Sequence, residues 1–158
     1  MLDQQPFEGL PQMCMACALP CPSCLPCSGH NLEAAWLALD TLDYLHSINA
    51  INDELAASYR TAAISVGEAA VRDGYDHKHG GIFQDGSASG GPVNTDKVWW
   101  VQAEAMQALW KLHQHHEEIS SGSSGMYLQM LADTVRFMKE HVTDTQGPGE
   151  QFWQVRAV

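Results

Sequence analysis

An all-α fold of stacked antiparallel helix hairpins is predicted by three observations. Four segments carry apolar residues at three- and four-residue steps, the period of a helix with one buried face. The connection inside the first pair is short, and the connection between the pairs is long. Residues 73–93 lose the helical period and gather turn signals instead: Asp73-Gly74, Gly80-Gly81, Asp85-Gly86 and Gly90-Gly91-Pro92.

The elements follow in order. The first helix is expected from Asn31, with Leu32, Trp36, Leu39, Leu42 and Leu45 as its stripe. Ile51, Leu55, Tyr59, Ala62, Val66 and Ala70 repeat the pattern in a second helix. Asn49 or Asn52 is placed to cap it and Asp73-Gly74 to end it. Gly81-Ile82-Phe83-Gln84 is expected as a strand of a short β-hairpin-like loop near 80–92. A loop this long in a compact domain is usually functional or disordered. The third stripe is Val98, Val101, Ala105, Ala108, Leu109 and Leu112, with Asn94 or Thr95 as cap. A polar linker, Ser120 to Gly125, leads to a fourth helix from about Met126 to His141, with Leu128, Leu131, Val135 and Met138 on one face. Gly147-Pro148-Gly149 then turns the chain towards Phe152-Trp153. Four helices make a small bundle but cannot close a large helical barrel.

The 158 residues are one domain's worth of polymer, and 45% hydrophobic content is enough for a core. Residues 1–28 stand apart. They hold all five cysteines and five of the seven prolines, with no Lys or Arg. This stretch reads as an irregular, disordered segment preceding a helical domain over 29–158. Within it, Cys14, Cys17, Cys21 and Cys24 are candidates for a zinc site, although only three residues separate the two Cys-x2-Cys pairs, and structural zinc sites usually separate theirs further. The alternative is a segment of reduced, free thiols. No apolar run approaches the roughly 18 residues that span a bilayer, and no signal peptide is evident. A soluble, cytoplasmic protein is expected. The formal net charge of -11 disfavours nucleic acid and anionic membranes as partners. A neutral small molecule such as a sugar is indifferent to that field.

Two constellations can carry chemistry. With a helix starting near Asn31, His30 sits at its cap and Glu33 one turn along on the same face. A histidine titrates near neutral pH, which suits proton transfer, and a carboxylate beside it can orient it. The same pair also serves as ordinary capping and dipole partners. Lys97, Trp100 and Glu104 stand at i, i+3 and i+7, on one face of the third helix, with Trp99 pointing elsewhere. An indole beside a carboxylate holds a sugar by packing on C–H faces and binding hydroxyls. Equally, either tryptophan can be core, and adjacent tryptophans cannot both face one way. His77 and His79 lie in the long loop, and His113, His115 and His116 at a helix end, where positive charge suits the dipole.

Gly29-His30-Asn31-Leu32-Glu33 and Lys97-Val98-Trp99-Trp100-Val101-Gln102-Ala103-Glu104 resemble the Gly-His-x-x-Glu and Lys-x-Trp-Trp-x-Gln-Ala-Glu motifs of the N-acylglucosamine 2-epimerase and cellobiose 2-epimerase family. Asp73-Gly74-Tyr75-Asp76 with Gly80-Gly81-Ile82-Phe83 is similar to its Gly-Tyr-Asp and Gly-Gly loop, and Gly149-Glu150-Gln151-Phe152 to its Gly-Glu-Trp-Phe turn. The resemblance covers roughly four-fifths of the chain. It implies an (α/α)6 barrel, present here in part, and an isomerase that inverts C2 of a reducing sugar or N-acylhexosamine through an enediolate. It implies His30 as one of two proton-transferring histidines, Glu33 as its orienting carboxylate, and Trp100 with Trp99 against the sugar. Lys97, Glu104 and Asp76 are further substrate-binding candidates. No cofactor or metal is implied.

The second histidine of the family pattern, which follows the Gly-Glu-Trp-Phe turn, has no counterpart before Val158. The chain is therefore expected to be a fragment with little epimerase activity alone, able to self-associate through exposed apolar faces. Two rival readings stay open. One is a non-catalytic helical fragment that binds carbohydrate or a protein partner. The other is a small metal-binding protein organised by the cysteine cluster.

Overall fold

The computed structural model describes residues 27–86 and 90–143. The helices are α1 Ser28–Ser47, α2 Asp53–Gly74, α3 Trp99–Glu118 and α4 Ser124–Phe137. A π-helical turn, Met138–Val142, continues α4. α1 packs on α2, α3 packs on α4, and α1 packs on α3, so two antiparallel hairpins stand side by side through their first helices. This is the expected all-α architecture of stacked hairpins. The cysteines at 14, 17, 21 and 24 and the Gly149–Phe152 turn lie outside the described residues. Among the described residues, no helix is long and apolar enough to cross a membrane.

Local chemistry sets the helix ends. Asn52 caps α2, its side chain accepting from the Leu55 amide at 2.8 Å, and Asp53 and Glu54 in the first turn suit the positive end of the dipole. α1 and α3 end alike. Asn49 (φ 55°) and Ser120 (φ 52°) take the left-handed conformation. The amide after each reaches back five residues, Ala50 to Leu45 O and Ser121 to His116 O, at 2.9 Å. Both ends satisfy their last carbonyls with a left-handed residue that is not glycine.

The stripes of α1 and α3 are buried as the spacing predicts. Leu32, Leu39, Leu42, Val101, Ala105, Ala108, Leu109 and Leu112 form the core between the hairpins. The expected stripes of α2 and α4 are buried only in part, at Ala70 and Met138 and, half-buried against the core, Leu131. α2 turns Ala56, Ala63, Ile64, Gly67, Ala70 and Val71 inward and leaves Leu55, Tyr59 and Val66 exposed. α4 buries Tyr127, Met130, Thr134 and Phe137 and leaves Leu128 and Val135 exposed. Small residues win the inward face of α2 because they let the helices approach closely. A Cβ on Gly67 would lie 3.3 Å from that of Ala35.

The long connection folds back under the helices. The expected strand at 81–84 is replaced by a pair further on: β1 Asp85–Gly86 runs antiparallel to β2 Pro92–Asn94. Asn94 is therefore a strand residue opposite Asp85, not a helix cap. Ile82 forms a single bridge to Tyr75 and is fully buried. Its backbone is completed by a side chain from α3. The Gln102 amide accepts from Ile82 N at 2.7 Å and donates to Ile82 O at 2.7 Å. Gln102 thus acts as the missing neighbouring strand.

Replacing that amide leaves two buried backbone groups without partners, at about 1–3 kcal/mol each. Gln102→Leu is expected to lower unfolding free energy by about 2–6 kcal/mol, read from urea denaturation. A loss inside the roughly 0.5 kcal/mol range of ordinary surface substitutions would contradict this role.

Candidate functional site

His30 lies in the first turn of α1, not at its cap, because the helix starts at Ser28 instead of Asn31. The cause is the preceding strand-like contact. Cys27 bridges Asp85, and the Ser28 amide donates to Gln84 O at 3.0 Å. That bond satisfies a first-turn amide that has no partner inside the helix.

Gly29 fits because α3 presses on it. A Cβ there would meet the Trp100 ring at 2.5 and 2.6 Å and Val101 Cγ2 at 2.9 Å. The absence of a side chain lets Trp100 lie over the first turn of α1. His30 is exposed, and its ring is 5.0 Å from the Trp100 ring, tilted by 47°. Glu33, half-buried, follows one turn along α1. One turn further, the Trp36 indole N–H donates to Glu104 Oε2 at 2.5 Å. Glu104 is four residues after Trp100, on the same face of α3. The N-terminal halves of α1 and α3 therefore bring His30, Glu33, Trp36, Trp100 and Glu104 to one seam.

Trp36 reads in sequence only as part of the core stripe. The signal for its second role is its spacing, three residues beyond Glu33. The tandem tryptophans divide as their adjacency requires. Trp100 is half-buried on His30, and Trp99 is 44% exposed on another side of the helix.

Lys97 and Asp76 correct an expectation. Spacing puts Lys97 on the α3 face with Trp100 and Glu104, but it precedes the helix and is 3% exposed. Its ammonium donates to Asp76 Oδ2 at 2.6 Å and to Gly80 O at 2.7 Å, and stands 4.4 Å from the Phe137 ring centre. Asp76 also accepts from the Lys78 and His79 amides at 2.9 and 3.2 Å and faces His79 Nδ1 at 3.2 Å. These two residues are turned on each other and pin the 76–80 turn to the base of α3. Burial alone raises the Asp76 pKa. The hydrogen bonds from Lys97, Lys78 and His79 outweigh it, and the carboxyl is held down at about 2.

The other histidines have separate partners. His77 is exposed, edge-on to Tyr75. His113 Nδ1 meets Ser124 O at 3.0 Å. His116 sits between Glu68 Oε1 at 2.8 Å and Ser121 Oγ at 2.5 Å, stacked on Tyr127. These contacts tie α3 to α2 and to the start of α4. Among the described residues, no three His, Cys, Asp or Glu side chains converge as a metal site would require.

Known proteins resemble this chain over most of its described length. The family model described as N-acylglucosamine 2-epimerase (GlcNAc 2-epimerase) matches residues 24–156. The cellobiose 2-epimerase of Bacteroides fragilis is 30% identical over 129 residues, covering 82% of this chain and 29% of that protein. The crystal structure of a D-mannose isomerase matches with a TM-score of 0.62 at 23% identity, over 82% of this chain and 29% of its own. The cellobiose 2-epimerase structure from Bacillus thermoamylovorans gives 0.63 at 23% identity, over 85% and 31%. Such neighbours are (α/α)6 barrels. The chain spans about three-tenths of the length of the relatives it matches.

Two outcomes test the pin. Lys97→Met leaves a buried carboxylate without its cation and is expected to cost about 3–5 kcal/mol in denaturant unfolding; a loss below about 1 kcal/mol would contradict the buried pair. The acid profile has a defined sign. Asp76 has a lower pKa folded, about 2, than its ordinary 3.8, so its contribution is complete above pH 3.8 and disappears as pH falls through 2. Wild type should lose stability across that window, and Asp76→Asn should lose distinctly less. Equal losses would remove Asp76 as the titrating group.

Proposed function

The chain belongs to the N-acylglucosamine 2-epimerase family, and from that premise we propose that it carries one half of the acid–base apparatus of a sugar isomerase that works at C2 of an open-chain sugar. The observation that supports this most is the His30–Trp100 contact at 5.0 Å, with Glu104 held by Trp36 at the same seam.

In this reading His30 Nε2 or Nδ1 takes the C2 proton, which is acidic because it lies alpha to the C1 aldehyde. The electron pair moves into the C1–C2 bond and the carbonyl oxygen becomes an enediolate oxygen. Glu33, one turn away, orients the imidazole. Trp100 supplies an apolar wall for the sugar's C–H face, and Glu104, fixed by the Trp36 indole, accepts hydroxyl hydrogen bonds. Return of the proton to the opposite face of C2 gives the 2-epimer, and return to C1 gives the ketose. Both outcomes share the step assigned to His30. The cellobiose 2-epimerase and D-mannose isomerase among the similar proteins differ in this way by name. The donor for the opposite face is a group outside the seam described above.

The experiment is proton exchange. Purified chain is incubated in deuterated buffer with cellobiose, N-acetylmannosamine or mannose, and C2–H loss is followed by NMR. The reading expects slow exchange with at least one sugar, reduced at least tenfold in His30→Gln and partly in Glu33→Gln. Exchange that is equal in His30→Gln, or absent with all three sugars, would reject catalysis by these residues. Shifts of the Trp100 indole signal without exchange would leave binding alone.

A further inference from the structure

Gly29 lies in the first turn of α1, where a glycine needs a reason. Inside a helix it is less favourable than alanine, because it orders more backbone and packs nothing. Its backbone does not supply the reason. The positive-φ glycines among the described residues are Gly80, Gly81, Gly90 and Gly91. The reason is the space above it. A Cβ on Gly29 would meet Trp100 Cζ3 at 2.5 Å, Trp100 Cη2 at 2.6 Å and Val101 Cγ2 at 2.9 Å. Helix packing alone asks for less. Where α1 and α2 meet, the nearest atom to a Cβ on Gly67 is Ala35 Cβ at 3.3 Å.

The contacts at Gly29 are not equal. Val101 is fully buried in the core. Trp100 is half-buried, and the atoms involved are the outer edge of its ring. Non-bonded carbon atoms settle at roughly 3.5–4.0 Å, so a methyl group at this position moves the ring edge by about 1 Å. Resting on the reading that Trp100 walls the sugar, we infer that Gly29 is a positioning residue of the sugar site. Its bare backbone seats the indole flush on α1, with the ring centre 5.0 Å from that of His30. That seat sets the height of the wall beside the proton-transferring side chain. Gly29 touches no substrate in this role and acts through Trp100. A wall contact is made before and during proton transfer alike, so its loss weakens binding more than it slows the chemical step.

A double-mutant cycle tests this. Gly29→Ala, Trp100→Phe and the double variant are compared with the wild-type chain. Phenylalanine lacks the outer ring atoms that the added methyl would strike. Cellobiose, N-acetylmannosamine and mannose are the probes. Binding is read from ligand-observed NMR titration, C2–H exchange from rates at varied sugar concentration, and folding from helical circular dichroism. Gly29→Ala should raise the dissociation constant and the half-saturating concentration by about fivefold, with a smaller loss in the saturated rate. In the Trp100→Phe background it should change neither. An effect of equal size in both backgrounds, on affinity or on helix content, overturns the proposal, because the methyl then acts through the helix or Val101. Unchanged affinity in Gly29→Ala also overturns it, while exchange that still depends on His30 leaves the proposed chemistry standing. The expected binding pattern without any exchange supports the positioning role and rejects the chemistry. A wild-type chain that binds none of the three sugars overturns both.

Discussion

The buried pair between Lys97 and Asp76 is the constraint from which the rest of the site follows. The two hairpins are separated in sequence by about two dozen residues that cannot form a helix. Without an anchor, such a connection would leave the start of α3 free to slide along α1. Lys97 holds Asp76 and Gly80 at once, and Gln102 completes the backbone of Ile82 just above. These contacts fix where α3 begins. Trp100 then falls on Gly29, where no side chain obstructs it, and against the His30 ring. Four residues of the Lys-x-Trp-Trp-x-Gln-Ala-Glu motif thus divide between two physical tasks. Lys97 and Gln102 hold the loop, and Trp100 and Glu104 build the seam.

Charge placement follows the same division. Ionic groups deep in the molecule are paired and hydrogen-bonded, as burial demands. Those at the seam are only partly enclosed: His30 is exposed, and Glu33 and Glu104 are half-buried. The open side of the seam is not walled by the described residues. Among the described residues, Leu55, Tyr59 and Val66 on α2 and Leu128 and Val135 on α4 also stay exposed.

Much of this was legible in the sequence, for specific reasons. The inner helices α1 and α3 each have one dominant apolar stripe, so periodicity alone names their buried residues. α2 and α4 have two stripes apiece. On α2 the larger residues, Leu55, Tyr59 and Val66, face out and the small ones are buried, whereas on α4 Leu128 and Val135 face out and Tyr127, Met130 and Phe137 are buried; tertiary contact makes the choice. No single-helix pattern can report that choice. The resemblance names His30, Glu33, Trp100 and Glu104, which the structure gathers. It also groups Lys97 and Asp76 with them, because a motif records which residues occur together and not which of them face one another. Trp36 and Gln102 are the converse. Their roles depend on partners 68 and 20 residues away, beyond the reach of local spacing.

The central claim is that the buried pin positions the seam, and the most direct measurement is the nuclear Overhauser effect between the His30 and Trp100 ring protons. The contact should be present in the wild-type chain and lost in Lys97→Met, while helical circular dichroism is retained. An unchanged contact in a folded Lys97→Met protein would show that the seam forms without the pin.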